Sequence, residues 1–316
     1  MQFSDTQLAF YDDNVLKIPR EKRAEFLRQV DYLIGRLKKK IDEDTSFAVK
    51  RFIKTGSLMK GTVLKPRGDW QADADIAVEL DVAEADKSDI DKLHHIIRDL
   101  LIAVYPQKSE GDFEVQPRTL GIEFKDSGLC VDLVPIVPIP GEPGFAWQPS
   151  SRGEAPVKTN IEGQLKFVKA RNNSDPRYRP IVRLLKGWKR EHELPIGSFA
   201  IELISAHLLD TQGAPAGLEK GLLRFFLFVA QGGLKERISF PENGRIASWP
   251  NDPVVILDPV NATNNITRRT TDAERQEVVT KATEAWERLW TASQNNFKTE
   301  TVELWKQIFG RNFRIE

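Results

Sequence analysis

One carboxylate stands inside an apolar run in this chain. Asp132 lies within Leu129-Cys130-Val131-Asp132-Leu133-Val134, a stretch with the length and composition of a buried strand. A lone ionised carboxylate there costs several kcal/mol, so a fold that keeps this strand must bring Asp132 a compensating partner. A second run, Asp73-Ala74-Asp75-Ile76-Ala77-Val78, places two carboxylates at i and i+2. On a strand both project from one face, about 7 Å apart along the backbone, and are expected to converge on one point. Like charges that close raise each other's pKa unless a cation intervenes, and oxygen ligands of this kind suit a hard divalent ion. Three acids from two strands can hold a pair of ions that activate an attacking hydroxyl and stabilise the leaving oxygen of an in-line phosphoryl transfer.

A D-x-D by itself carries little weight in a chain with 46 acidic residues. Its weight comes from the preceding turn, Thr55-Gly56-Ser57-Leu58-Met59-Lys60-Gly61-Thr62. There Gly56 lets the backbone approach an anion, and Ser57 offers a hydroxyl and an N–H at an expected helix start.

Periodicity organises the rest. Apolar residues at Phe26, Val30, Leu33, Ile34 and Leu37 predict an amphipathic helix over Glu21 to Lys40, with Lys38-Lys39-Lys40 at its solvated end. A strand is expected over Asp73 to Leu80, then a helix over Asp89 to Tyr105 through Ile90, Leu93, Ile97, Leu100, Leu101 and Val104. Three short strands follow, Phe113 to Arg118, Gly121 to Lys125 and Leu129 to Pro135. The Pro- and Gly-rich segment Pro135 to Ser151 is expected to hold no regular structure and to mark a lobe boundary. Beyond it the pattern is helical. Pro180 is read as opening one helix, Ser198 as the N-cap of Phe199 to Leu209, and further helices over Leu218 to Gln231, Asp272 to Ser293 and Thr301 to Phe309. The expectation is an α+β chain: a lobe with a mixed β-sheet over residues 1–150, a helical lobe over 151–316, and the active site in the cleft between them.

Composition narrows the function. Lys plus Arg total 46 and Asp plus Glu total 46, so no overall basic field draws the chain onto long nucleic acid, and no strong general nucleic-acid binding is expected. The N-terminus lacks a secretory pattern and no stretch approaches a membrane span, so a cytoplasmic protein is expected. The one cysteine, Cys130, excludes an intrachain disulfide and reads as a small core residue. His94, His95, His192 and His207 show no ligand spacing. Lys166, Lys169, Arg171, Arg177 and Arg179 read first as a solvated face and second as a guide for an acceptor nucleotide. Asp258-Pro259 with Asn261, Asn264 and Asn265 reads as a structured turn whose side chains bind backbone.

Gly56-Ser57, Lys60-Gly61-Thr62, Asp73-Ala74-Asp75-Ile76 and Val131-Asp132-Leu133-Val134-Pro135 together resemble the signature of the polymerase-β-like nucleotidyltransferases. The subgroup most resembled is the bacterial cGAS/DncV-like nucleotidyltransferases. The similarity extends through Leu184-Leu185-Lys186-Gly187-Trp188, Ser198-Phe199-Ala200-Ile201-Glu202-Leu203 and Ile256-Leu257-Asp258-Pro259-Val260-Asn261, and so covers most of the chain.

The resemblance implies that Asp73, Asp75 and Asp132 hold two Mg2+ or Mn2+ ions. It also implies that Gly56, Ser57, Lys186 and Ser198 meet a donor triphosphate and that Phe199 stacks on a base. On the residues alone, Lys186 could equally be a snorkelling surface lysine, Phe199 plain core, and Ser198 only a cap. The resemblance is nearest to the HORMA-associated, CdnC-like branch making cyclic trinucleotides, often adenine-rich, for anti-phage (CBASS) signalling. It implies ATP and other NTPs as substrates, a HORMA-domain activator as partner and a separate effector such as a nuclease. A linear oligoadenylate or tRNA-end nucleotidyltransferase would use the same acids, although tRNA processing calls for a larger basic surface. A non-catalytic nucleotide- or partner-binding regulator is the remaining class.

Overall fold

The computed structural model of the chain describes residues 3–45, 48–81, 93–152 and 154–316. A short helix α1 (Asp5–Tyr11) and one π turn (Asp12–Leu16) precede the long helix α2 (Arg20–Asp44). Then follow β1 (Ala48–Thr55), α3 (Gly56–Lys60), β2 (Ala72–Asp81), α4 (Leu93–Val104), β3 (Phe113–Val115), β4 (Leu120–Phe124) and β5 (Leu129–Pro138). Helix α2 runs a full turn beyond the expected end at Lys40. Lys39 and Lys40 pair there with Glu43 and Asp44 one turn on, so the lysine triplet lies one turn before the helix end. Helix α4 is described from Leu93; the expected first turn, Asp89 and Ile90 included, lies outside the described residues.

The chain divides into two compact units, Ile18–Lys166 and a second made of Met1–Lys17 with Phe167–Glu316. In the first, a mixed sheet has the order β1-β2-β5-β4-β3, with β2 and β5 parallel and the other neighbours antiparallel. Alternation along the strands decides which face is which. Ala72, Ala74, Ile76, Val78 and Leu80 of β2, and Leu129, Val131, Leu133 and Val137 of β5, share one buried core with Phe26, Val30, Leu33, Leu37 and Ile41 of α2 and Leu93, Ile97, Leu100 and Leu101 of α4. The intervening residues face the other way. Toward the end of the strands that second face is apolar too, where Ala77, Val134, Ile136, Ala146 and Ile161 cluster.

The segment expected to lack regular structure partly holds it. Strand β5 continues to Pro138, and β6 (Ala146–Gln148) and β7 (Val157–Thr159) extend the sheet from it. Pro135 is tolerated because β4 stops pairing with β5 at Leu133, leaving that edge without a partner to serve until Val137 meets β6. These added strands keep residues 146–159 with the sheet, so the units part at 166/167 rather than at the expected 150/151.

The second unit holds helix α5 (Ile161–Ser174) from Phe167 onward, α6 (Tyr178–Glu191), α7 (Ser198–Gln212), α8 (Leu218–Gly232), a small hairpin of β8 (Leu257–Asp258) and β9 (Asn261–Asn265), α9 (Asp272–Gln294) and α10 (Lys298–Phe309). Pro180 sits in the first turn of α6 rather than opening it, and its missing N–H costs nothing there. The hairpin matches the expected structured turn: Asn265 Oδ1 accepts from Ile256 N (3.0 Å) and Thr267 N (3.1 Å), and its Nδ2 donates to Val254 O (2.9 Å). Arg171 departs from the reading of a solvated basic face: it is buried and ion-paired with Asp210 and Glu242, while Arg177 pairs with Asp175.

Aromatic packing ties the first residues to this unit. Trp305, Phe309 and Phe313 stack with near-parallel planes, and Phe3 and Tyr11 pack on them. The Phe3 N–H donates to Glu219 Oε2 at 2.8 Å. Asp12 and Arg183, both buried, form a fork with Arg183 Nε donating to Asp12 Oδ1 at 2.8 Å. Gly187 lets Leu16 approach α6, since a Cβ there would stand 3.1 Å from Leu16 Cδ2. No helix among the described residues is long and apolar enough to cross a membrane. Asp12→Ala leaves the buried Arg183 guanidinium without this carboxylate and is expected to lower unfolding free energy by about 3–5 kcal/mol. The measurement is a urea titration; a midpoint equal to wild type would contradict this role.

Candidate active site

The face of the sheet opposite α2 and α4 carries the acids. In the parallel pairing of β2 with β5, Asp75 lies directly across from Asp132 and Asp73 across from Cys130. The row continues on both sides: Thr55 of β1 pairs with Asp75, Gly121 of β4 with Asp132, and Glu114 of β3 with Gly121. Register partners point to the same face, and i, i+2 neighbours do too, so Asp73, Asp75 and Asp132 share one polar surface. Asp73 is exposed, and Asp75 and Asp132 are half-buried.

Two glycines shape this surface. Gly56 has φ +68°, and a Cβ there would lie 1.6 Å from Asp75 Oδ2, so only glycine fits against that carboxylate. Ser57 follows it in the first turn of the short helix α3, the place expected from sequence, and its carbonyl accepts from Thr62 N (3.0 Å) and Val63 N (3.1 Å). Gly121 leaves a notch beside the third acid, where a Cβ would stand 3.2 Å from Asp132 Oδ1.

Electrostatics follow from this crowding. Asp132 is pushed up to about 7, chiefly by burial, with the charges of Asp75, Asp73 and Glu114 adding to it. Its Oδ1 is buried and accepts no hydrogen bond. Cys130 is pushed up to about 12 by burial, then by Asp132 and Asp73, which makes it a poor nucleophile. It is half-buried on the acidic face rather than in the core expected for it, because it alternates with Leu129 and Val131 exactly as Asp132 does with Val131 and Leu133.

Among the described residues, no three His, Cys, Asp or Glu side chains form a closed metal-ligand group. The pairing of β2 with β5 sets Asp75 across from Asp132, with Asp73 two residues before Asp75 on the same face. Their chemistry still fits a hard divalent cation: oxygen ligands only, one of them buried and unsatisfied.

The other expected site residues belong to the helical unit. Ser198 is the first residue of α7, but Gly197 is the N-cap, and no side chain caps the helix, so the cap expected of Ser198 is absent. Phe199 is half-buried in the same turn. Lys186 is buried, with its Nζ 3.6 Å from Glu202 Oε1, and so is not a snorkelling surface lysine. Sequence reasoning passed over Glu114, Gly121 and Glu123. Their alternation with Phe113, Val115, Leu120 and Ile122 marked a polar face, but only register sets that face beside Asp132.

No protein-family model matches the chain. A curated relative from Escherichia coli (strain KTE188), the CBASS oligonucleotide cyclase CdnC, is 39% identical over 317 residues, covering 100% of this chain and 99% of that protein. A cyclic AMP-AMP-AMP synthase from E. coli (strain MS 115-1) is 31% identical over 317 residues, with 97% of each covered. Among solved structures, E. coli MS115-1 CdnC with ATP superposes with a TM-score of 0.83 at 29% identity over 99% of both chains. The same protein in complex with HORMA-deltaN gives 0.82 at 29% identity over 98% of both.

Between the ordinary carboxylate value of 3.8 and about 7, Asp132 keeps a proton in the fold that the unfolded chain releases. Its contribution to stability is therefore full below that range and is lost as pH rises through about 7. Without divalent metal, Asp132→Asn is expected to unfold at higher temperature than wild type at alkaline pH, the gap closing toward about pH 4. Thermal unfolding across pH in chelator checks this, and a gap independent of pH would contradict it. The fold, the acid row and the full-length likeness all lead to one assignment: the chain belongs to the CdnC family of CBASS oligonucleotide cyclases.

Proposed function

We propose that this chain joins nucleoside triphosphates, ATP among them, into a 3′-linked cyclic trinucleotide such as cyclic tri-AMP, releasing pyrophosphate, as a cytoplasmic signal in anti-phage defence. Cyclic oligonucleotide synthesis follows from the family; ring size and base rest on the relative named a cyclic AMP-AMP-AMP synthase. The observation that carries the reading is the register of Asp75 with Asp132 on the face that bears Asp73.

Nucleotidyltransferase chemistry of this kind uses divalent metal. In this reading Asp73, Asp75 and Asp132 hold two ions, Mg2+ or Mn2+, which when bound supply stabilisation of phosphoryl charge and a more acidic acceptor hydroxyl. The chain's own groups do the rest. Gly56 allows close backbone approach, Ser57 presents its hydroxyl to the triphosphate, and Asp132 is the acid on this face whose proton affinity lies near neutrality. On the resemblance alone, Ser198 and Lys186 are assigned to phosphate and Phe199 to a base. Lys186 takes that role by exchanging Glu202 for phosphate.

Each transfer forms one bond from a 3′-oxygen to an α-phosphorus, breaks the α–β anhydride and releases one pyrophosphate. In the third, the terminal 3′-hydroxyl attacks the chain's own 5′ α-phosphorus and closes the ring. A HORMA-domain activator is proposed because a solved relative is found in complex with HORMA-deltaN. A separate effector such as a nuclease reads the product.

The test is incubation with the four triphosphates, Mg2+ and a HORMA-type activator, followed by phosphatase treatment and mass spectrometry. A phosphatase-resistant cyclic trinucleotide is expected, and Asp73→Ala should cut pyrophosphate release at least about a hundredfold with the unfolding temperature nearly unchanged. Linear, phosphatase-sensitive products, or retained turnover in Asp73→Ala, would contradict the reading.

A further inference from the structure

Beside Asp132 the acidic face opens into a cavity of about 480 Å³ within the sheet unit. Its lining includes Gly121, where a Cβ would stand 3.2 Å from Asp132 Oδ1 and crowd that buried oxygen. Six carboxylates line it, Asp69, Asp73, Asp112, Glu114, Glu123 and Asp132, and among its described lining residues there is no Lys, Arg or His. Lys125 partly offsets two of these charges, lying 2.8 Å from Asp112 and 3.7 Å from Glu123, but the acids outnumber it, so the walls favour a neutral, donor-bearing nucleoside over a tetra-anionic triphosphate.

The rim carries Trp70, 48% exposed. An exposed indole is an outlier for a side chain this large, and its backbone is fixed: Arg67 N donates to Trp70 O at 2.9 Å and Trp70 N to Arg67 O at 3.0 Å. Gly68, at φ +59°, makes this tight turn. Trp70 precedes Asp73 by three residues, so at most about 11 Å of chain separates their Cα atoms. A base lying on the indole keeps its ribose within reach of the acids. At the cavity wall Gln71 Nε2 donates to Glu123 and Gln116 Nε2 to Glu114, which presents carboxylate and amide groups suited to the edge of a purine.

We propose that this cavity seats the acceptor nucleoside, with Trp70 as the platform on which its purine base stacks. The inference rests on the nucleotidyltransferase reading and adds the residue that positions the attacking nucleotide. Aromatic–base stacking tolerates any base and is worth about 1–3 kcal/mol per base on removal of the ring.

The test separates acceptor from donor by supplying 3′-deoxy-ATP, which can donate but not be extended, with AMP as acceptor, to the full chain with Mg2+ and a HORMA-type activator. Trp70→Ala is expected to raise the acceptor KM about tenfold or more, the change that loss of one base stack produces, while Trp70→Phe stays within about threefold. The donor KM and the unfolding temperature should hold in both. Saturation-transfer NMR with adenosine, the donor site filled with a non-hydrolysable 3′-deoxy-ATP analogue, gives a readout independent of turnover: its base signals should be lost with Trp70→Ala and kept with Trp70→Phe. An unchanged acceptor KM and adenosine signal in Trp70→Ala, or donor and acceptor KM rising together, would overturn the assignment. The two failures are distinguishable, because absence of pyrophosphate release by the wild type faults the catalytic reading itself, whereas normal release with an unaffected Trp70→Ala faults the role of Trp70 alone.

Discussion

The parallel pairing of β2 with β5 sets Asp75 opposite Asp132, and most of what is distinctive in the sheet unit answers to that placement. Two like charges on adjacent strands repel, and burial of one of them raises the cost. The strands stay together because their other face is continuous apolar core under α2 and α4. The hydrophobic face thus holds an acidic face together, and burial of Asp132, with the charges of Asp75, Asp73 and Glu114 beside it, raises its proton affinity.

Glycine makes the arrangement sterically feasible at both ends. Gly56 takes a left-handed conformation against the Asp75 carboxylate, and Gly121 clears the space before Asp132. The first glycine brings the backbone that leads into Ser57 up to the acids; the second leaves room for whatever approaches Asp132 from the β3–β4 side. Face, notch and turn are consequences of backbone geometry, so they precede any choice of ligand.

Much of this was legible in the sequence because it is local. The i, i+2 spacing of Asp73 and Asp75 put both on one face, and the apolar neighbours of Asp132 demanded a strand, whatever the partners. What was not legible is what depends on pairing. Cys130 reads as core by composition, yet strand alternation places it beside Asp132 on the polar face. The prolines at 135 and 138 read as breakers, yet they fall where β5 lacks a neighbour on one side. Arg171 reads as one of a basic run, but its ion-pair partners Asp210 and Glu242 are distant in sequence. Lys186 is similar: its helix and apolar neighbours were clear, its burial against Glu202 was not. The division at 166/167 likewise depends on β6 and β7, three-residue strands too short to carry a periodic signal.

The acids aligned by β2 and β5 are proposed as ligands to divalent cations. Crystals grown with Mn2+ and a non-hydrolysable ATP analogue, measured at a wavelength where manganese scatters anomalously, test this most directly. The account predicts anomalous density within about 2.2 Å of carboxylate oxygens from Asp73, Asp75 and Asp132 together. Manganese bound elsewhere, or by Asp73 and Asp75 with Asp132 uninvolved and still protonated, would contradict it.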